Sequence, residues 1–390
     1  MLKRRIGVLL GFTLSACFSG DATLGAVCSQ DSDCGAGQTC TNEICGRCGD
    51  GAAQLGELCF EPGTQIDLGP DPVVLRPHDV DNDAVVDLVT LAPGAGELLV
   101  LRGNASGLSD PETVALPLLA QHLAVGDVDG DGATDALVAD AESVWFGSGA
   151  GTLVFSFGDE ALAWENASGL LAVPGSAVSD PFGVATRATA NGETEVVALE
   201  IEAGATLRIG AGLTLPGELR VAASGQLLGD ETPEIVLTAG PTITLVTGPE
   251  LELGPELTLA ADVVAVAIVD ATGDGAADVL TADALGAVVV DAGDGEGGFV
   301  RREGFTLPGT VTAMVVGDLD RDGDRDIAAA SDLGITLTLA RGSGYGDTVA
   351  LPSDEAATDV LVVSFGGDIL PELIVSSATE GTVSVLGVRP

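Results

Sequence analysis

A nine-residue acidic pattern recurs along this chain, and its spacing constrains the fold more than any other feature. The pattern is D-x-D-x-D-G-x-x-D, with complete copies in GDVDGDGATD and GDLDRDGDRD. Seven copies, some degenerate, begin at positions 79, 127, 187, 226, 270, 318 and 364, a mean spacing of 47.5 residues. A repeat of this length fits one four-stranded blade of a β-propeller and is too long for most helical repeats.

Each copy stands between short apolar segments. In the sixth unit TVTAMVVGDL precedes the loop, DIAAAS follows it, and GITLTLA and DTVALP complete the unit. Short runs rich in Val, Ile and Thr and bounded by Gly, Asp or Pro predict β-strands. Four strands in each of seven units predict an all-β fold, a seven-bladed β-propeller over residues 63–390.

The seventh unit supplies only three such segments, ATDVLVVSF, ELIVSS and GTVSVLGV. Residues 65–68 precede the first unit, and we expect them to form the missing outer strand of the seventh blade. This pairing would close the ring and remove a free sheet edge.

The alternating acids predict metal sites. Two carboxylates about 4 Å apart repel by roughly 4 kcal/mol at an effective dielectric of about 20, so a folded loop needs a cation between them. Ligands that are all oxygen, on a flexible loop, favour Ca²⁺ over Zn²⁺ and Mg²⁺. We expect side-chain ligands at positions one, three, five and nine of each loop, and a main-chain carbonyl ligand at position seven.

Three loops hold all four acids, and a fourth has threonine at position three, which predicts a weaker site. The predicted ligands of the three are Asp79, Asp81, Asp83, Val85 and Asp87; Asp127, Asp129, Asp131, Ala133 and Asp135; and Asp318, Asp320, Asp322, Asp324 and Asp326. Those of the weaker site are Asp270, Thr272, Asp274, Ala276 and Asp278. Asp324 stands at position seven, so its side chain is expected to face solvent.

The remaining three copies have lost acids, and no metal site is predicted there. They comprise Arg187, Thr189, Asn191 and Glu195; Gln226, Leu228, Asp230 and Glu234; and Ser364, Gly366, Asp368 and Glu372. An EF-hand is the main alternative for the intact loops, but it requires Glu at position twelve, where this chain has Val138 and Ala329. A solvated acidic turn without metal is the other alternative.

The N-terminus has the features of a secretory signal. Lys3, Arg4 and Arg5 precede an apolar run over residues 6–14, which is too short to span a bilayer. The following LSAC resembles a bacterial lipobox, which implies a signal peptide over residues 1–16 and lipidation of Cys17. An ordinary secretory signal with a chance cysteine is the alternative. The expected location is the cell envelope, at the outer membrane or cell surface, with a lipid anchor as the only membrane attachment.

Residues 17–62 hold the other six cysteines. An even number in a short exported segment predicts three disulfides, whose pairing the sequence leaves open; the residues are Cys28, Cys34, Cys40, Cys45, Cys48 and Cys59. A redox or zinc role for the Cys45–Cys48 spacing is less favoured, because the only histidines, His78 and His122, lie elsewhere. The stretch CGDGAAQLGELCF also resembles cysteine-rich repeats of secreted bacterial proteins, which implies an extracellular spacer.

The composition restricts the partners. The chain has 59 Asp plus Glu against 15 Lys plus Arg, a net charge of −44, and a mean hydropathy of +0.40. Disordered acidic chains are poor in apolar residues, so this mixture indicates a folded protein. A charge of this sign repels nucleic acid and favours divalent cations.

The acidic loop between the first two strands of each unit resembles the FG-GAP and VCBS repeat family. Propellers of that family include the head of integrin α subunits and many bacterial surface proteins, and the resemblance covers about 325 of the 390 residues by the repeat count. The Phe-Gly and Gly-Ala-Pro strings of the family are largely missing here. The resemblance implies a calcium-stabilised propeller, expected to be monomeric, that binds an extracellular protein or glycan.

No catalytic set can be assembled convincingly from the sequence, and we expect a binding protein. The alternatives are a polysaccharide-acting enzyme with acids at the propeller axis and a purely structural envelope protein. The 60-residue interval between the second and third copies contains Phe155, Phe157 and Trp164. Insertions in repeats tend to lie on a binding face. We interpret the two Phe as strand residues and predict Trp164 as an exposed ligand contact.

Overall fold

The computed structural model describes residues 39–41, 44–46 and 60–388, with gaps at 70–73, 93–95, 105–106, 177–178, 203–205, 230–231, 240–241, 259–262, 303, 342–343, 352–355, 366–370 and 378. All regular structure in these ranges is β. Consistent with this, the described residues include no helix that could cross a membrane.

Two short strands near the N-terminus form a hairpin, β1 (Thr39–Thr41) and β2 (Ile44–Gly46), in which Cys40 is the register partner of Cys45. The side chains of both cysteines lie outside the described part of the chain. The same holds for the predicted signal peptide, for Cys17, and for Cys28, Cys34, Cys48 and Cys59. The disulfide and lipidation assignments therefore stay predictions.

Seven antiparallel sheets follow one another along the chain, after β3 (Phe60–Asp67). The first contains β4 (Leu75–His78), β5 (Asp87–Ala92), β6 (Glu97–Leu101) and β9 (Glu112–Ala115), and a separate hairpin of β7 (Gly103–Asn104) and β8 (Gly107–Leu108) lies between β6 and β9 in the chain. The second contains β10 (His122–Gly126), β11 (Asp135–Ala139), β12 (Ser143–Ser148), β13 (Ser156–Phe157) and β14 (Leu162–Ala163). The third contains β15 (Ala167–Val173), β16 (Phe182–Ala188), β17 (Glu193–Glu202) and β18 (Thr206–Pro216).

The other four sheets have the same order. They contain β19 (Leu219–Gly225), β20 (Glu234–Ala239), β21 (Thr242–Thr247) and β22 (Glu252–Thr258); β23 (Val263–Val269), β24 (Asp278–Asp283), β25 (Ala287–Gly293), β26 (Phe299–Arg301) and β27 (Phe305–Thr306); β28 (Val311–Gly317), β29 (Asp326–Ser331), β30 (Gly334–Arg341) and β31 (Gly344–Ala350); and β32 (Asp359–Val363), β33 (Glu372–Ser377) and β34 (Thr382–Val388).

The first strands of the seven sheets surround a central axis. Each contacts the first strand of the next sheet, in the order β4, β10, β15, β19, β23, β28 and β32, and β32 returns to β4. The sheets are therefore the blades of a closed propeller, and the predicted all-β, seven-bladed fold is confirmed.

The ring is closed by β3, which pairs with β34 from Phe60 opposite Val388 to Asp67 opposite Thr382. The predicted closure is confirmed, although the strand begins five residues before the expected 65. Phe60 is only 5% exposed and packs with residues of the sixth and seventh blades, including Leu337 and Leu373. The closing strand thus contributes apolar packing as well as backbone hydrogen bonds.

The core lies between neighbouring blades. All six residues of β29 are buried, and alternate side chains point to opposite sides of the strand. Ile327 and Ala329 pack against the fifth blade, whereas Ala328 and Ala330 pack against the seventh. This placement explains why the second strand of a unit is a continuous apolar run, as in DIAAAS, rather than an alternating one.

Candidate metal centres

Three of the predicted loops gather carboxylates. Each loop joins the first and second strands of its blade, and oxygens from positions one, three and nine lie within 4.8 Å of one another. The clusters are Asp79, Asp81 and Asp87 in the first blade, Asp127, Asp129 and Asp135 in the second, and Asp318, Asp320 and Asp326 in the sixth. These are the three loops that the sequence predicts as complete sites.

The acid at position nine has a structural role that the sequence analysis missed. In the sixth loop, Asp326 is fully buried. Its Oδ2 accepts the N–H groups of Leu319 (2.8 Å) and Asp320 (3.2 Å), and its Oδ1 accepts the N–H of Ala340 (2.8 Å) on the third strand. The carboxylate therefore clamps the loop to the blade. Burial outweighs these bonds and raises the pKa of Asp326 to about 6.

The same clamp recurs in other blades. Asp135 accepts the N–H of Val128 (3.1 Å) and of Gly149 (2.9 Å), and burial raises its pKa to about 6 as well. In the fourth blade, Glu234 Oε2 accepts the N–H of Leu227 at 2.7 Å, and in the seventh Glu372 Oε2 accepts the N–H of Phe365 at 3.0 Å. Position nine is acidic in all seven copies, which is the sequence signal for this role.

The turn at the loop's tip requires left-handed backbone. Residues at position six have φ values of +85° at Gly132 and +96° at Gly323. Glycine reaches this region without steric cost. Ala84 holds the same position in the first loop at φ +67°, where its Cβ makes the conformation less favourable by about 1 kcal/mol or more. The glycine of the repeat pattern thus serves the turn.

The acid at position five lies outside the carboxylate clusters. Its Oδ1 instead accepts a hydrogen bond from the N–H of the residue at position seven. These bonds run from Val85 to Asp83 (2.9 Å), from Ala133 to Asp131 (2.7 Å) and from Asp324 to Asp322 (2.9 Å). Among the predicted carboxylate ligands, those at positions one, three and nine are therefore brought together, and the main-chain carbonyl at position seven stays a prediction. Asp324, expected to face solvent, is half-buried.

An arginine side chain contacts the carboxylates of the first loop. Arg102 lies at the end of the third strand, and its Nε is 2.8 Å from Asp81 Oδ2 while its Nη2 is 2.7 Å from Asp83 Oδ2. The Val85 N–H and this guanidinium both lower the pKa of Asp83. The residue after Arg102, Gly103, donates its N–H to the acid at position nine, Asp87. In the second, fifth and sixth blades, the residue that donates the equivalent N–H directly follows Ser148, Ala292 and Leu339, respectively. These three residues are therefore the counterparts of Arg102.

The third loop differs from the others in register. Elsewhere position nine pairs with the residue before position one, as Gly317 pairs with Asp326. In the third blade Glu195 pairs with Arg187 itself, the residue at position one. The Arg187 guanidinium contacts Glu195 Oε2 at 2.7 Å from Nη2 and 2.8 Å from Nε. An arginine therefore stands in place of the first acid and neutralises the acid at position nine.

The fifth loop keeps the clamp but not the carboxylate cluster. Asp278 accepts the N–H groups of Ala271 (2.8 Å) and Gly293 (3.0 Å). The Asp270 carboxylate stabilises the turn by accepting the N–H groups of Gly273 and Gly275 at 2.7 and 2.8 Å. The predicted weaker site, with Asp274 and the Ala276 carbonyl, stays a prediction.

Buried oxygens test whether a metal fits these loops. Asp81 Oδ1, Asp318 Oδ1 and Thr272 Oγ1 are inaccessible to solvent and accept or donate no hydrogen bond among the described residues. A buried polar atom without a partner costs roughly 1–3 kcal/mol. A hard cation would satisfy these oxygens, and an all-oxygen donor set suits Ca²⁺. The residues present therefore fit the predicted ion.

A known family model matches the part of the chain that holds two of these loops. Residues 270–329, from the fifth loop to β29, match the FG-GAP-like repeat. Together with the seven-bladed ring, this match supports an FG-GAP-type β-propeller. No curated protein matches it.

Two solved structures share the fold of this propeller. Both are crystal structures of BBS1N in complex with ARL6DN, one soaked with lead and the other with mercury. The TM-scores are 0.62 and 0.60 at 12% and 11% identity, and each match covers 85% of this chain and 97% of the other. At this identity the likeness establishes the fold alone.

The prediction of Trp164 as an exposed ligand contact requires correction. Trp164 is 2% exposed and packs in the core between the second and third blades. The Arg187 guanidinium carbon lies 4.0 Å above the ring, and the indole N–H points to Thr186 O at 3.4 Å. The longer interval before the third unit therefore contributes a core residue, Trp164, rather than an exposed one. Phe157 lies on β13 of the second blade, as interpreted from the sequence, whereas Phe155 is buried just before that strand rather than on it.

The two histidines lie on first strands, His78 on β4 and His122 on β10. His78 Nδ1 is 2.8 Å from the hydroxyl of Thr134, which also contacts Asp79 O at 2.9 Å. His78 thus links the first and second loops through hydrogen bonds.

Proposed function

We propose that this FG-GAP-type propeller is a calcium-stabilised, lipid-anchored protein of the cell envelope that binds a protein or glycan ligand. The observation that carries the calcium assignment is the convergence of three carboxylates in each of three loops, together with buried carboxylate oxygens that have no hydrogen-bond donor.

Calcium would be held by the acids at positions one and three, with the buried acid at position nine beside them. Asp318 and Asp320 fill the first two places in the sixth loop. Their mutual repulsion weakens when a divalent cation lies between them. Calcium bound there would join β28 to β29 and stabilise the blade rather than perform chemistry.

The envelope location rests on the N-terminal signal and on Cys17. The ligand-binding role is supported by two observations: the propeller is of the FG-GAP type, and the structurally similar BBS1N is seen in complex with another protein, ARL6DN. A surface with a net charge of −44 favours partners that are basic or that bind through calcium.

The test is capture of ligand from extracellular material by the purified full-length protein, in calcium and in chelator. We expect a protein or glycan to be retained, and its amount to fall after chelation. A matched pair of variants distinguishes the loss of a predicted calcium ligand from the loss of one surface charge. Asp318→Asn should reduce capture, whereas Asp332→Asn, on the β29–β30 turn, should not. Equal capture in every condition would contradict the calcium dependence, and capture of nothing would contradict the binding role.

The anchor has its own test. Cys17→Ala should move the protein from the membrane fraction to the soluble fraction or stall it as precursor. If the variant still fractionates with membranes, lipidation of Cys17 is wrong.

A further inference from the structure

The propeller axis contains a cavity of about 450 Å³ that is separate from the acidic loops. Residues of the first strands of all seven blades line it. Cavities of this size accommodate small ligands in many proteins. The wall of the cavity differs in polarity around the axis. Blades one, two, six and seven present Arg76, His122, Thr312 and Asp359, whereas the part formed by blades four and five is apolar.

Arg76 has donors to spare. Its guanidinium carries five N–H groups, and the hydrogen bond it makes runs from Nη1 to Leu75 O at 3.0 Å. Burial lowers the pKa of Arg76, and the charge of Asp359 opposes this effect. The charges of the Arg76 guanidinium and the Asp359 carboxylate therefore interact, but the two groups form no direct ion pair among the described residues. The half-buried guanidinium and the half-buried carboxylate both line the cavity, so a ligand there meets both groups.

Asp359 complements Arg76. Its Oδ2 accepts the N–H of Leu75 at 3.3 Å and its Oδ1 that of Val360 at 2.9 Å, so each oxygen keeps capacity for a further donor. Burial lowers the pKa of His122, which leaves the imidazole neutral near pH 7. The fixed charges of the described lining are then one positive and one negative. Such a pair favours a ligand that itself carries both charges.

The apolar side defines the rest of the ligand. Leu219, Val264 and Val266 line it, and hydrocarbon that packs against them is removed from water, which favours binding of an apolar group.

We propose that the axial cavity binds a free α-amino acid with an apolar side chain. The ligand's carboxylate would accept from Arg76, its ammonium group would donate to Asp359, and its side chain would pack against the aliphatic wall. This site does not depend on calcium, so it goes beyond the proposed function above.

Isothermal titration of the purified full-length protein with leucine tests the proposal. We expect one leucine bound per chain, in calcium and in chelator alike. N-acetylleucine lacks the ammonium and leucinamide lacks the carboxylate, and each should bind about tenfold to a hundredfold more weakly, the range for one lost charged hydrogen bond. This comparison uses the unaltered protein, so it does not depend on how variants fold.

Variants then locate the site. Arg76→Gln and Asp359→Asn should weaken leucine binding by a similar factor. Arg302→Gln, an exposed arginine just beyond β26, is the matched control and should bind like the unaltered protein. The proposal is overturned if neither leucine nor valine binds at millimolar concentration, if the blocked analogues bind equally well, or if the axial variants bind unchanged. Binding of glucose but not leucine would identify a carbohydrate site instead and would also overturn it.

Discussion

The sixth and third loops of this propeller occupy equivalent places and balance the charge of their acids in different ways. In the sixth, three carboxylates converge and Asp318 Oδ1 is left without a donor, which suits an exchangeable ion. In the third, Arg187 pairs with Glu195 and needs no ion. The difference follows from a register shift of one residue, which brings position one into the strand pair. The same repeat can therefore place either a carboxylate cluster or an arginine–glutamate pair at this position.

The largest expected effect comes from the aromatic ring beneath the arginine of the third loop. Trp164→Ala should lower the free energy of unfolding by about 3–5 kcal/mol, because it removes a fully buried indole from the core. Urea unfolding with and without calcium measures it, and the loss should be the same in both. A loss of unfolding free energy below about 1 kcal/mol would contradict the burial of Trp164 and indicate that it is a surface residue.

The clamp at position nine should matter with or without metal. Asp326→Ala leaves the N–H groups of Leu319, Asp320 and Ala340 without their acceptor, and we expect a loss of about 3 kcal/mol. The measurement is urea unfolding in chelator. A variant as stable as the unaltered protein in chelator would show that Asp326 acts only as a ligand.

Chelation should affect the metal-type loops and spare the third. Extracellular modules bind calcium with dissociation constants of roughly 10⁻⁴ to 10⁻³ M, so millimolar calcium should stabilise each occupied loop by about 1 kcal/mol. Thermal unfolding in calcium and in chelator measures the shift. Asp320→Ala should remove part of it and Asp324→Ala should leave it intact.

Asp322→Ala sharpens the ligand assignment. The sequence predicts a ligand at position five, while the structure places Asp322 at the exposed turn. A reduced calcium response would mean that Asp322 moves inward when the ion binds. Absence of calcium binding by calorimetry would exclude metal from all the loops.

Removing the arginine of the third loop should have a smaller effect. Arg187→Gln loses the ion pair with Glu195 and the contact with the Trp164 ring, each worth about 1 kcal/mol or less. The loss should shrink at high salt, since salt screens a partly exposed pair. Urea unfolding at low and high salt tests this, and a loss that depends on calcium would contradict the assignment.

The smallest effect should appear in the first loop, where Arg102 contacts two predicted ligands. Arg102→Gln should raise the calcium affinity of that loop severalfold, because the ion no longer competes with the guanidinium. The converse change, Ser148→Arg, should lower the affinity of the second loop. Calorimetric titration resolves the two, and unchanged affinity in both variants would show that Arg102 does not occupy the ion's place.

Repetition made the architecture predictable. The spacing of the acidic pattern identified seven units, the apolar runs located the four strands of a unit, and the incomplete last unit indicated a closing strand near residue 65. These features are local or periodic, so the chain displays them without any knowledge of long-range contacts. The acid composition of each loop likewise separated the three carboxylate clusters from the degenerate copies.

Other properties depend on partners far along the chain, and only the tertiary structure decided them. Asp326 is a clamp because Ala340, fourteen residues later, presents its N–H to it. Trp164 is buried because the next blade places Arg187 over its ring, and Arg102 enters the first loop because the third strand ends beside it. A repeat pattern records which residue types recur but not which neighbour each side chain meets. Burial and charge pairing in this propeller are settled by contacts between strands and between blades.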